Sequence, residues 1–155
     1  MFHIALWEPE IPPNTGNIAR LCAATGAHLH LIGRLGFRLD DQDLKRAGLD
    51  YWADVRITRH ETLEAFETCC SDRILCFSAH AKQPYTTAAF RDGDYLLFGS
   101  ESRGLPPSAL ERHADQTFGI PMPTGKVRSL NLATAAGIVL YEALRQLQSW
   151  QDRIS

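Results

Sequence analysis

Hydrophobic and polar positions alternate along this chain in two distinct rhythms. Short apolar blocks at 2–7, 28–32, 55–58, 74–78, 95–98 and 117–120 read as strands. Tyr95-Leu96-Leu97-Phe98 is apolar at every position, the mark of a strand buried on both faces. Between the blocks lie stretches with helical periodicity. Residues 14–25 carry Ile18, Leu21 and Cys22 on one stripe and end at Gly26. Residues 40–47 form a short helix closed by Gly48. Residues 61–70 turn Leu63, Phe66 and Cys70 inward, and a brief helix follows from 107 to about 113. Pro84 leaves 80–91 as loop or short helix. The last helix, 131–148, has Leu132, Ala136, Val139, Ala143 and Leu147 on one stripe, with Ile138, Leu140, Tyr141 and Leu144 on other faces. A helix apolar nearly all round is buried on more than one side, and in a chain this small the second side points to another copy. Strand alternating with helix predicts an α/β protein: a parallel sheet with helices on both faces. No repeat or linker divides it, so residues 1–155 read as a single domain.

Composition narrows the picture. The chain has 155 residues, 45% hydrophobic and 22% charged, enough for one ordinary core. No apolar run approaches the roughly 18 residues of a membrane span. The first residues lack a basic start and meet Glu8-Pro9-Glu10 at once, unlike a secretory signal. A cytoplasmic protein without membrane contact is expected. Cys22, Cys69, Cys70 and Cys76 make no Cys-x-x-Cys pair and read as free, buried thiols in a reducing compartment. His28 and His30 share one strand face, but no third ligand stands nearby, so no metal site is expected. A formal net charge of −2 argues against a broad basic footprint. It leaves room for a local one among Arg20, Arg34, Arg38, Lys45, Arg46, Arg59, Arg103, Lys126 and Arg128.

Three segments carry candidate chemistry. After the first strand, 8–20 holds three prolines where a dinucleotide-binding protein carries Gly-x-Gly-x-x-Gly. That disfavours an ordinary nucleotide-dependent enzyme with a doubly wound sheet. Asn14 or Thr15 is suited to cap the helix, and Asn17 and Arg20 share one of its faces. After the Tyr95 strand, two glycines flank Ser100-Glu101-Ser102-Arg103, where a backbone can approach a ligand. Glu101 is suited to accept hydrogen bonds from loop amides. After the sixth strand, 120–132 leads through prolines and Gly125 to Ser129 and Asn131, both apt helix caps or polar contacts for a ligand over the helix start.

Taken together and in this order, the segments resemble a known family. Asn14-x-Gly16-Asn17-x-x-Arg20, then Phe98-Gly99-x-Glu101-x-x-Gly104-Leu105, then Ile120-Pro121-Met122 with Ser129-Leu130-Asn131-Leu132, look like the three motifs of the SPOUT RNA methyltransferases. The opening Glu8-Pro9-Glu10-Ile11-Pro12-Pro13-Asn14-Thr15-Gly16-Asn17 and the later Arg46-Ala47-Gly48-Leu49-Asp50-Tyr51 resemble its bacterial branch that methylates the wobble nucleotide of tRNA. The resemblance implies a C-terminal deep trefoil knot, S-adenosylmethionine as cofactor, a homodimer, and methyl transfer to the ribose of C34 or U34 in leucine tRNAs. It implies cofactor contacts from Phe77, Gly99, Glu101, Gly104, Leu105, Ile120, Met122, Ser129, Leu130 and Asn131. It places catalysis on Arg20, Ser129 and Asn131. A guanidinium is nearly always protonated, so Arg20 suits charge stabilisation better than proton abstraction. With no separate RNA-binding domain, tRNA contact is expected from Arg20, Arg38, Lys45, Arg46, Arg103, Lys126 and Arg128 on both subunits. The alternative is a non-catalytic RNA-binding or assembly factor that keeps the fold.

Overall fold

A computed structural model describes residues 1–40, 42, 46 and 52–148. Six parallel strands make one sheet in the order β3-β2-β1-β5-β4-β6. They are β1 (His3–Trp7), β2 (His28–Ile32), β3 (Ile57–His60), β4 (Ile74–Phe77), β5 (Tyr95–Phe98) and β6 (Thr117–Phe118). The helices that fall wholly within the described residues are α1 (Pro12–Thr25), α2 (Leu63–Cys69), α3 (Pro107–Arg112) and α4 (Leu132–Leu147). Of the helix expected over 40–47, only Asp40, Gln42 and Arg46 are described; Gln42 and Arg46 are helical, and the rest lies outside the described residues. Among the described residues no helix is long and apolar enough to cross a membrane.

The period of two along the strands sorts the core into two layers. Ile4, Leu6, Leu29, Leu31, Leu96 and Phe98 face α1 and α4, which cover them with Ile18, Cys22, Ala136, Val139 and Leu140. Ala5, Ile32, Cys76, Tyr95 and Leu97 face the other way, under Leu63 and Phe66 of α2 and Ala109 of α3. All four residues of β5 are buried, as its unbroken apolar run requires.

Several boundaries differ from the sequence reading, each for a local reason. Helix α1 starts at Pro12, because the two prolines take the first helical positions, where a missing N–H costs nothing. Its N-cap is Ile11, with no side-chain cap. Asn14 and Thr15 are therefore not caps; both are buried inside the first turn. Strand β3 begins two residues late, because the sheet pairs Ile57 with Leu29 while Val55 closes a turn on Trp52. Strand β6 stops after Phe118. Gly119 instead donates to the Gln83 carbonyl (2.9 Å) and accepts from the Tyr85 N–H (2.8 Å). On α4, Asn131 is the N-cap, accepting from the N–H groups of Ala133 and Thr134. Leu147, expected in the buried stripe, is exposed, as is Tyr141 at 48%.

Candidate functional site

From β1 the chain runs outward through β2 and β3, whereas β5 connects the other way, across β4 to β6, so the connections part between β1 and β5, the usual place for a ligand in an open α/β sheet. Here it is already filled. The Glu101 carboxylate accepts from the N–H groups of Glu10 and Ile11, each at 2.8 Å, and from the Asn14 amide at 3.3 Å. Glu10 reciprocates, accepting from the Ser102 N–H (2.9 Å) and hydroxyl (2.6 Å). Those two hydrogen bonds hold the Glu10 carboxyl below the usual carboxylate range. Glu101 thus does accept amide hydrogen bonds, but from the first loop rather than its own.

The loop after β5 is folded tightly back on itself. Ser100 and Gly104 exchange two backbone hydrogen bonds, at 3.3 and 2.8 Å. Gly104 sits at φ +68°, and a Cβ on Gly99 would fall 2.1 Å from the Gly104 carbonyl carbon. Gly99 is thus required by close backbone approach, Gly104 by its left-handed conformation.

The open space lies one strand over from the switch point. A cleft of about 890 Å³ is bounded by the ends of β4 and β5, by the segment after β6 and by the start of α4. Every residue named as a cofactor contact lines it: Phe77 from β4, Gly99, Glu101, Gly104 and Leu105 from the β5 loop, Ile120 and Met122 after β6, and Ser129, Leu130 and Asn131 before α4. Phe77 and Phe98 stack at 5.0 Å and 19° in its wall. Asn131 joins it to α1, its Nδ2 donating to Asn14 Oδ1 at 2.9 Å. Asn14 has the chemistry of a helix cap and also opens the first family motif, but it caps nothing here. Its place in the chain Glu101–Asn14–Asn131 depends on a contact 117 residues apart in sequence. Ser78, His80 and Gly119 also line the cleft. No motif marked them, since they enter only because β4 and β6 are neighbours.

The proposed cations are spread unevenly. Arg128 lines the cleft, and Lys126 is exposed on the same segment. Arg103 also lines it, but its guanidinium pairs with Glu8 at 2.9 Å and lies over the Trp7 ring at 4.9 Å. Arg20 is exposed on α1 and is not among the residues lining the cleft. Arg38 pairs with Asp40 at 3.1 Å, Arg46 is exposed, and Lys45 lies outside the described residues.

Two expectations about other side chains change. All four cysteines are free, but Cys69 is exposed and Cys70 only partly buried. Burial pushes the Cys22, Cys70 and Cys76 thiols up to about 12, which leaves them protonated and unreactive. His28 and His30 do have a third partner: the strand register brings His3 beside them. The reason is non-local pairing, which no spacing along the chain encodes.

Residues 1–141 match the SpoU rRNA methylase family model. The chain belongs to the SpoU rRNA methylase family. Among its relatives is the tRNA (cytidine(34)-2'-O)-methyltransferase of Escherichia coli K12, 48% identical over 149 residues, or 95% of this chain and 94% of that protein. The protein of the same name from Saccharophagus degradans is 48% identical over 95% of this chain and 96% of its own. A solved structure concerned with the 2-OH methylation of C/U34 on tRNA superposes with a TM-score of 0.91 at 52% identity, covering 96% of this chain and 97% of the other. The SpoU methyltransferase AviRb from Streptomyces viridochromogenes, solved with AdoMet, superposes at 0.80 with 28% identity, over 95% of this chain and 60% of its own. The parallel six-stranded sheet and its flanking helices match the SPOUT methyltransferase fold of this family.

Proposed function

We propose that this protein transfers a methyl group from S-adenosylmethionine to the ribose 2′-hydroxyl of nucleotide 34, cytidine or uridine, in leucine tRNAs. The observation that carries the reading is the meeting of three distant segments, 99–105, 120–122 and 129–131, round one cleft. Its volume falls in the range of small-molecule sites. The relatives' activity at position 34 supports the choice of nucleotide.

The residues fit the cofactor. The stacked Phe77 and Phe98 offer an apolar wall for a flat purine. Loop backbone comes close because Gly99 and Gly104 lack side chains. Ser100 lines the cleft, and its buried hydroxyl, beside the Glu10 carboxylate, meets no partner at ordinary hydrogen-bond distance among the described residues, leaving a polar contact for a ligand. Bound there, S-adenosylmethionine supplies a methyl carbon made electrophilic by its sulfonium.

The chain's own residues then position the nucleophile. Asn131, fixed by α4 and by Asn14, and Ser129 at the rim orient the ribose hydroxyl. Arg20 stands on α1 outside the cleft lining, so it meets the RNA rather than the cofactor. Its permanent charge holds a phosphate or the hydroxyl and stabilises the negative charge that develops there. Arg128, Lys126 and Arg103 guide the tRNA over the mouth.

Two copies of the chain make the working unit. Tyr141, Leu147 and Ile11, exposed on or beside α4 and α1, supply the apolar surface a homodimer would bury. The segment after β6 completes a deep trefoil knot, held where Gly119 is clasped by Gln83 and Tyr85. A tRNA substrate places the protein in the cytoplasm. The test is to incubate the protein with labelled S-adenosylmethionine and total tRNA from a strain lacking the activity, then map the label. Transfer to ribose 34 is expected. Label at another nucleotide would overturn the assignment, and cofactor binding with no transfer would favour a non-catalytic RNA-binding factor.

A further inference from the structure

Four of the chain's six histidines gather on one face of the sheet, under α2. His3 opens β1, His28 and His30 lie two apart on β2, and His60 ends β3. The parallel register sets His3 beside His28. His3 Nδ1 is 2.9 Å from His30 Nε2, His30 Nδ1 is 2.9 Å from His60 Nε2, and His28 Nε2 is 2.7 Å from Thr58 Oγ1. His28 and His30 are buried, whereas His3 is half-buried and reachable from solvent. The cluster has no part in the cleft. His3 and His28 stand at the amino ends of their strands, roughly 13 Å of strand from the carboxyl-end loops.

We propose that His3, His28 and His30 form a binding site for a divalent transition-metal ion of the zinc type, which clips β1 to β2. One ring nitrogen from each histidine lies within 4.8 Å of the others. Three nitrogens round a tetrahedral zinc, each about 2.0–2.1 Å from it, sit roughly 3.3 Å apart. Small side-chain rotations close the set, and half-exposed His3 gives the ion its way in. An all-imidazole set suits zinc, copper or nickel rather than calcium or magnesium. The second nitrogen of His30 is already held by His60, the outer contact that fixes the orientation of a ligating ring. Phe66 and Tyr95 pack their rings against the cluster, giving it an apolar shell. The Met1 ammonium and Arg56 oppose a cation at the cluster, while Asp72 and Asp92, the latter paired with that ammonium, favour one near His3.

The site is tested on the full chain, free of any histidine tag and stripped with chelator, by titration with Zn(II) against a chromophoric competitor and with Co(II). The expected result is one Zn(II) per chain, visible Co(II) bands of the tetrahedral kind that Zn(II) abolishes, and a raised melting temperature. His3→Gln, at a half-exposed position that should still fold, is expected to weaken Zn(II) binding by about tenfold or more. S-adenosylmethionine affinity should be the same with and without metal. His28→Gln should weaken binding likewise, and if it fails to fold, His3→Gln still decides. No stoichiometric Zn(II) binding by the native chain, or equal affinity in native and His3→Gln proteins, would overturn the proposal.

Discussion

Replacing Gly99 with alanine puts the β5 loop under a load that can be worked out atom by atom. The new Cβ would lie 2.1 Å from the Gly104 carbonyl carbon, 2.2 Å from the Leu105 nitrogen and 2.6 Å from the Gly104 Cα. All three are backbone atoms, so no side chain can swing away. Ordinary contact begins near 3.4 Å, so the 104–105 backbone must retreat by about 1 Å or more. That retreat breaks the two hydrogen bonds between Ser100 and Gly104, each contributing about 0.5–1.5 kcal/mol. It also pulls Glu101 off the amides of Glu10 and Ile11. A loss of about 2–4 kcal/mol follows, which for a chain of this size lowers Tm by on the order of 10 °C. Gly104→Ala is the control in the same loop. Its φ of +68° strains an alanine, but nothing lies within 4 Å of the new Cβ, so the cost is about 1–2 kcal/mol. Thermal unfolding by circular dichroism and calorimetric titration with S-adenosylmethionine measure both effects. Gly99→Ala should melt lower than Gly104→Ala and bind the cofactor at least about tenfold more weakly than the native protein, a deficit of about 1.4 kcal/mol. If Gly99→Ala melts and binds like the native chain, or Gly104→Ala is the more damaged, the close-approach argument fails.

Other substitutions separate the remaining roles. Arg20→Ala should keep cofactor affinity and lose methyl transfer by about 10²–10³-fold; calorimetry showing lost affinity with normal turnover of the residual complex would reverse that assignment. Glu101→Gln keeps the volume but turns one of two accepting oxygens into a donor, so urea unfolding should report a loss of about 1–3 kcal/mol, and no change would remove Glu101 from its bracing role. Binding of tRNA should weaken steeply with salt, and Lys126→Ala with Arg128→Ala should reduce the log–log slope by roughly one per residue; a flat dependence would count against the basic rim. Stability should also fall in acid through Glu67. Burial raises its carboxyl, but hydrogen bonds from Arg112 and His113 outweigh that and leave it below its ordinary value of 4.5. A lowered folded value means the contribution is whole above about pH 4.5 and is lost as pH falls through the folded value. Glu67→Gln should flatten this acid limb in denaturant melts, and an unchanged limb would show the link between α2 and α3 to be idle.

The sequence alone determined the elements and their class, because the periods that mark strands and helices are local. The unbroken apolar run of Tyr95 to Phe98 reads as a strand covered on both faces, and it is one. The sequence also marked the loops that line the cleft, since a glycine needed for close approach and an asparagine able to cap a helix keep their meaning wherever the chain goes. What it could not carry was partnership between distant residues. Pairing of β1 with β2 turned His3 into the neighbour of His28, and pairing of β4 with β6 brought Gly119 to the wall beside Ser78. Asn14 had the chemistry of a cap, but two prolines began the helix ahead of it and tertiary packing gave it Glu101 and Asn131 instead. Register and loop contact are set by the burial of whole faces against one another. That energy belongs to the folded sheet and has no counterpart in any window of the chain.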